Sequence, residues 1–297
     1  MGYLFLCIAL FAGLTKGYCG KRTSGYTSGL REALAANTIR MVLCILVGFV
    51  LIWAQGDLAQ LAVSPATLAI SALSGVFTAV FVVSWLLAVK KGAYMLVEVF
   101  LMLGVLIPMV LGKLLFSETI RPNQWIGMGI LVAATLVMCS YNNSQKQKLT
   151  AAALVLLVLC GVGNGLADFS QKLFVRTQPD TPASVFNFYT YVFSGAVMAA
   201  AFFLLGNRSR SEIPLGQTVK KIVGFIAVMA LCLFANSYFK TLAATRQDSA
   251  QLYPLNQGAA LILSMGMSAV FFKEKVTPKA VLGVVLAFVG LIVMNVL

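Results

Sequence analysis

FSETIRPNQWIG at residues 116–127 and FKEKVTPKAVLG at residues 272–283 are one pattern written twice. Setting residue i against i+156 aligns Phe116 with Phe272, Glu118 with Glu274, Pro122 with Pro278, Gly127 with Gly283 and, further along, Met138 with Met294. Two apolar helices match by chance at apolar positions. They do not readily match by chance at a Glu, a Pro and a Gly in one register with one loop length, so the spacing points to a duplicated chain.

Outward from that pair, apolar runs of spanning length recur with only short polar interruptions. A membrane-crossing helix needs about 20 mostly apolar residues, and the runs predict ten helices. They lie near residues 2–19, 34–54, 66–89, 92–115, 123–141, 150–173, 183–205, 219–241, 249–272 and 279–296. The most polar internal connector, YNNSQKQKLT at 141–150, divides them into two sets of five. Residues 1–141 are read as the first repeat, 142–149 as the connector and 150–297 as the second repeat. An odd number of helices in each half makes the second copy insert upside down, as in the inverted repeats of many transporters. The predicted fold class is therefore all-α integral membrane, ten transmembrane helices as two inverted five-helix repeats.

Composition agrees: 60% of the 297 residues are apolar and 10% charged, against roughly a quarter charged in soluble domains. The opening stretch, MGYLFLCIALFAGLTKGYCGK, lacks the basic n-region of a secretory signal and is read as the first helix. The six cysteines, Cys7, Cys19, Cys44, Cys139, Cys160 and Cys232, form no CxxC pair, which suggests neither a disulfide framework nor a zinc site. The net charge of +13 sits mostly in short loops, where membrane topology explains it without a nucleic-acid partner. Fourteen Lys and Arg, from Lys21 to Lys279, follow the odd-numbered helices. Only five, Arg121, Lys172, Arg176, Lys240 and Arg246, follow the even-numbered ones. That count favours the odd loops as cytoplasmic, with both chain ends outside.

The chain resembles the drug/metabolite transporter superfamily, in particular its ten-helix proteins with two EamA-like domains. The resemblance covers nearly the whole chain. It is carried by Arg40 near the start of the second helix, LLAVKKGA at 86–93 closing the third, and the turns at Glu118 and Glu274. The glycine that usually precedes the Glu of those turns is replaced by Ser117 in one half and Lys273 in the other, and Pro108 and Pro254 are not equivalent positions. The resemblance implies a transport mechanism and leaves the cargo open. It also implies both termini in the cytoplasm, against the loop charges.

A charge in hydrocarbon costs at least about 2.5–3.5 kcal/mol on insertion scales, so ionisable residues deep in a span are candidate functional groups. Glu98 lies roughly 9 Å from the middle of the fourth span at 1.5 Å per residue and is expected to face a wet cavity or a cation. Asp168 matches Lys16 at an offset of 152. A cavity with a cation on one wall and an acid on another suits a zwitterion; snorkelling of Lys16, or an Asp168–Lys172 pair, is the plainer alternative. Arg40 is a further candidate, whereas Lys113 is placed at an interface. Gln251, Tyr253, Asn256 and Gln257 crowd around Pro254, as a cavity-lining kink or an ordinary polar helix start. Asn164, Asn236, Tyr94, Trp85 and Tyr238 are weaker candidates. Gly129/Ala133 and Gly283/Ala287 permit close helix contact, within the bundle or between protomers of a homodimer.

Histidine is absent, no metal or Gly-rich phosphate motif is present, and the nine acids are scattered. No enzyme, cofactor or bound metal is expected. The reading is a secondary transporter in the cell (plasma or inner) membrane, moving a small polar metabolite, an amino-acid-like zwitterion first, by alternating access. Its partners are the lipid bilayer and a small-molecule substrate, and it is a monomer or homodimer. An anionic or lipid-linked cargo, or a non-transporting scaffold, stands as the alternative.

Overall fold

The computed structural model describes residues 2–27, 29–91, 94–144, 150–205, 215–273 and 277–296, and these hold helices and no strand. In order they are α1 (Gly2–Ser24), α2 (Leu30–Gln55), a single 3-10 turn (Leu58–Leu61), α3 (Pro65–Lys91), α4 (Tyr94–Gly104), α5 (Leu106–Phe116) and α6 (Pro122–Ser144). The second half holds α7 (Ala151–Thr177), α8 (Ala183–Leu205), α9 (Leu215–Ala244), α10 (Ser249–Phe271) and α11 (Pro278–Val296). Because α4 and α5 make one crossing, eleven α-helices give the ten expected spans. Seven of those spans are long and apolar enough by composition alone to cross a membrane.

Local chemistry sets the ends. Pro65, Pro122 and Pro278 each occupy a first helical position, where the missing N–H has no intrahelical partner to lose. Gly56 closes α2 in the left-handed conformation at φ 77°, and the Thr150 hydroxyl caps α7 by accepting from the N–H of Ala153 at 3.2 Å. The break between α4 and α5 corrects the single helix expected over 92–115. Pro108 has no N–H to give the carbonyl of Gly104, and its ring crowds that carbonyl, so the helix parts at Val105. Pro254, in the second turn of α10, leaves its helix continuous. Connector residues 145–149 and the turn at Glu274 lie outside the described residues.

The helices pair mainly between halves. α1 runs along α9 as α3 runs along α7, while α2 meets α8, α4 meets α10, and α6 meets α11. Exchanging the halves turns the first two pairs into one another and returns the other three to themselves. That is the signature of a two-fold relation between five-helix repeats. The first helices of both halves carry an outward apolar face: α1 exposes Tyr3, Leu4, Ile8 and Phe11, and α7 exposes Leu154, Val155, Val158, Leu159 and Val162. The backbone follows the two-fold relation, since Ser117 and Lys273 are the two non-glycine residues with positive φ among those described, at 51° and 52°.

α6 and α11 pack on each other through Gly127 and Gly290. A Cβ on Gly127 would lie 2.7 Å from the Gly290 carbonyl oxygen. Gly129, expected at a close contact, instead faces open space. Outward faces such as Leu46, Phe49, Val50 and Trp53 of α2 are exposed and apolar, as hydrocarbon requires.

A left-handed L-residue costs about 1 kcal/mol relative to glycine. Ser117→Gly and Lys273→Gly are therefore each expected to raise the melting temperature of detergent-purified protein. A fall in both variants would show that the side chains, rather than the turns, are what these positions require.

Candidate functional site

Close backbone approach brings the polar stripes together. A Cβ on Gly104 would lie 2.2 Å from the carbonyl oxygen of Gly161, and one on Gly165 would lie 2.2 Å from that of Gly104. α4 and α7 thus touch backbone to backbone, and Glu98 and Asn164 line one cavity beside that contact. On the other side, Gly13 of α1 admits Asn236 of α9, whose amide donates to the Ala9 carbonyl at 2.6 Å. Between α1, α3, α4, α7, α9 and α10 lies a cavity whose polar lining is Lys16, Glu98, Asn164, Asn236, Lys240, Asn256 and Gln257, with Phe81 and Trp85 among its apolar walls. A second lobe shares Lys16, Asn164, Asn236 and Lys240, and adds Asp168, Gln171, Tyr191 and Ser237.

Asp168 is held by the ammonium of Lys240, and Asn164 donates to its other oxygen at 3.3 Å. The partner is thus Lys240 of α9 and not Lys172, which corrects the pairing considered from sequence. Gln257 donates to Glu98 at 3.4 Å. The Lys16 ammonium lies 5.3 Å from the centre of the Phe81 ring and does not snorkel outward. Asn256 Oδ1 and Gln171 Oε1 are buried acceptors with no hydrogen-bond partner in the protein. Arg40 is the eleventh residue of α2, three turns inside, because α2 begins earlier than expected. It is 2% exposed, and its Nε and Nη2 have no partner. Tyr253 is buried behind the cavity, donating to the Asp168 carbonyl at 2.7 Å. Gln251 points away and donates to Tyr3 at 2.8 Å. Lys113 lies over Trp125 at the surface, and Tyr238 takes a bond from Gln55. The side chain of Tyr94 lies outside the described residues.

The loop-charge count takes Lys172 and Lys240 as loop residues although the expected spans 150–173 and 219–241 contain both, and neither is proposed from sequence as a site residue. α9 runs on to Ala244 and α7 to Thr177, so both lysines sit inside spans. Helical spacing carried a signal for Lys240: Asn236 and Lys240, four apart on α9, share a face, as do Asn164 and Asp168 on α7. Glu98 and Asp168 are also not the only buried acids, since Glu32 and Glu118 are 4% and 6% exposed.

Glu118 organises the face that bears both chain ends. Its carboxylate meets the Lys172 ammonium at 3.0 Å and Arg176 at 3.2 Å, and accepts from the N–H of Ser249 at 2.9 Å, at the start of α10. Lys172 also donates to the Gln247 carbonyl at 2.6 Å, and Arg176 reaches Asp248 at 3.2 Å. Gly112 makes room, because a Cβ there would fall 2.7 Å from the carboxylate. Ser64 and Gln178 join the halves on the same face at 2.9 Å. This latch ties the α5–α6 turn of the first half to α7 and α10 of the second.

Residues 151–296 match the EamA-like transporter family. The second half is an EamA-like transporter domain. The match begins at the first residue of α7 and ends at the last of α11, so the EamA-like unit coincides with one five-helix half. A solved structure titled "Crystal structure of protein" is similar over 99% of this chain and 96% of its own, with a TM-score of 0.69 and 17% identity, which shows a shared fold. No curated protein matches the sequence. The likeness of the second half to the EamA-like family supports a membrane transporter of the drug/metabolite type, a reading whose cargo has to come from the cavity.

Burial alone would raise the Glu118 pKa, but the Lys172 ammonium and the hydrogen bonds from Lys172 and Ser249 hold it below the ordinary carboxylate value of 4.5. A depressed folded pKa stabilises the fold above the unfolded value, and that contribution is lost as pH falls through the folded one. Wild-type protein should therefore lose melting temperature more steeply below pH 4.5 than Glu118→Gln does. Parallel slopes would remove Glu118 from the latch.

Proposed function

We propose that the chain is a secondary transporter for a small polar metabolite, an amino-acid-like zwitterion, in the plasma or inner membrane. Two five-helix halves, residues 1–141 and 150–297, joined by 142–149, alternate around the cavity. The observation that carries this reading is one cavity bearing Lys16 from the first helix and Glu98 from the fourth span, separated by amides. An ammonium group finds acceptors in Glu98 and the unpartnered Asn256 Oδ1, and a carboxylate finds the Lys16 ammonium. Each pole then gains a charge-assisted hydrogen bond in place of water.

In a proton-coupled cycle Glu98, which lines the cavity beside the cargo, is the acid that exchanges the proton. Loop charges favour the Lys/Arg-rich face as cytoplasmic, which puts the Glu118 latch on the outer face. Breaking and reforming that latch is one half of the alternation. We assign the chain no enzymatic activity.

Thermal stabilisation of purified protein across neutral and charged amino acids, sugar phosphates and organic cations tests the reading. At a concentration one hundred times Kd a ligand adds about 2.7 kcal/mol of apparent stability. Zwitterions are expected to raise the melting temperature of wild type but not of Lys16→Ala or Glu98→Gln. Stabilisation that survives both substitutions would remove these residues from the site.

A further inference from the structure

Asn164, Asn236 and Gln257 come from three different helices and line the same cavity, and the hydrogen bond that each donates fixes which end of its amide is left over. Asn236 of α9 donates to the Ala9 carbonyl at 2.6 Å, Asn164 of α7 to Asp168 at 3.3 Å, and Gln257 of α10 to Glu98 at 3.4 Å. A backbone carbonyl and two carboxylates accept and cannot donate, so the amide nitrogen fills each of these contacts. What the three side chains keep for the cavity is their carbonyl oxygens. Among the described residues no donor reaches those oxygens, and none of them is sealed off as the Gln171 oxygen is.

The aromatic walls point the same way. An aromatic face holds a quaternary ammonium, which has no N–H to give. The face of Phe81 already carries a cation, because the Lys16 ammonium lies 5.3 Å from the ring centre. For a cargo cation the cavity therefore offers hydrogen-bond acceptors ahead of that ring.

Resting on the zwitterion reading, we propose that the cationic pole of the cargo is a primary ammonium, and that Asn164, Asn236 and Gln257 select it over N-methylated and quaternary ammonium groups. A primary ammonium carries three N–H donors, which meet the amide oxygens beside the Glu98 carboxylate. Each N-methyl group removes one donor, leaves the charge unchanged and sets a methyl against an acceptor. Losing a hydrogen bond to a charged group weakens binding by about tenfold or more.

The test is competition against uptake of a labelled amino acid mixture into liposomes. The competitors are two pairs of isomers, L-alanine with sarcosine and 2-aminoisobutyrate with N,N-dimethylglycine, together with glycine betaine. Within each pair methyl groups move from carbon to nitrogen at constant composition and charge. For wild type, alanine is expected to inhibit at about one tenth the concentration of sarcosine or less. The second pair should differ more widely, and betaine should not compete. Asn164→Ala and Gln257→Ala should each narrow the gap between alanine and sarcosine. Equal potency within the pairs, whether strong or absent, or inhibition by betaine at the concentration at which alanine acts, overturns the inference and leaves the zwitterion transporter standing. No uptake of the mixture overturns both. The wild-type ratios decide the matter even where a variant does not fold.

Discussion

Hydrocarbon forms no hydrogen bonds, and this constraint arranges the rest of the molecule. Every charge carried on ten spans must be matched inside the protein or face a cavity. The outward faces are accordingly apolar, and the ionisable groups gather where the halves meet. There they fall into two clusters: the Glu118–Lys172–Arg176 latch at one face, and Lys16, Arg40, Glu98, Asp168 and Lys240 within the bundle. The first is satisfied by the protein's own groups. In the second, Asp168 and Lys240 pair while Arg40 Nε and Nη2 lack partners, and it is this cluster that the proposed function sets against the cargo.

Duplication built the scaffold symmetric, and divergence made the two faces unequal. At the offset that pairs Lys16 with Asp168, the positions matching Lys172 and Arg176 are Gly20 and Ser24. The opposite face therefore lacks the two cations that anchor Glu118. Gly20 is instead pressed against Trp85, where an added Cβ would fall 2.4 Å from the ring.

Much of this was legible in the sequence. The repeat, the ten spans and the inversion follow from apolar run length and from the matched Glu, Pro and Gly, because these report directly on helix length and turn geometry. Glu98 and Lys16 were readable as deep charges. Lys240 and Lys172 were not, because a lysine in the last turn of an expected span reads as a headgroup or loop charge when only hydropathy is used, whereas α7 and α9 run one further turn and bury both. The exclusion of Gln251 from the cavity depends on rotation of α10, which its neighbours set. The latch needed the three-dimensional approach of α5, α7 and α10, which no local pattern encodes.

The central claim is that the halves move against each other around the cavity. Ser64 and Gln178, one from each half and 2.9 Å apart on the latch face, allow that motion to be stopped. In a variant without native cysteines, Ser64→Cys and Gln178→Cys would be joined by a short thiol cross-linker and flux of a labelled amino acid mixture measured in liposomes. Alternation predicts that a cleavable cross-link abolishes flux and that its reduction restores it. Undiminished flux through the cross-linked protein would contradict the account.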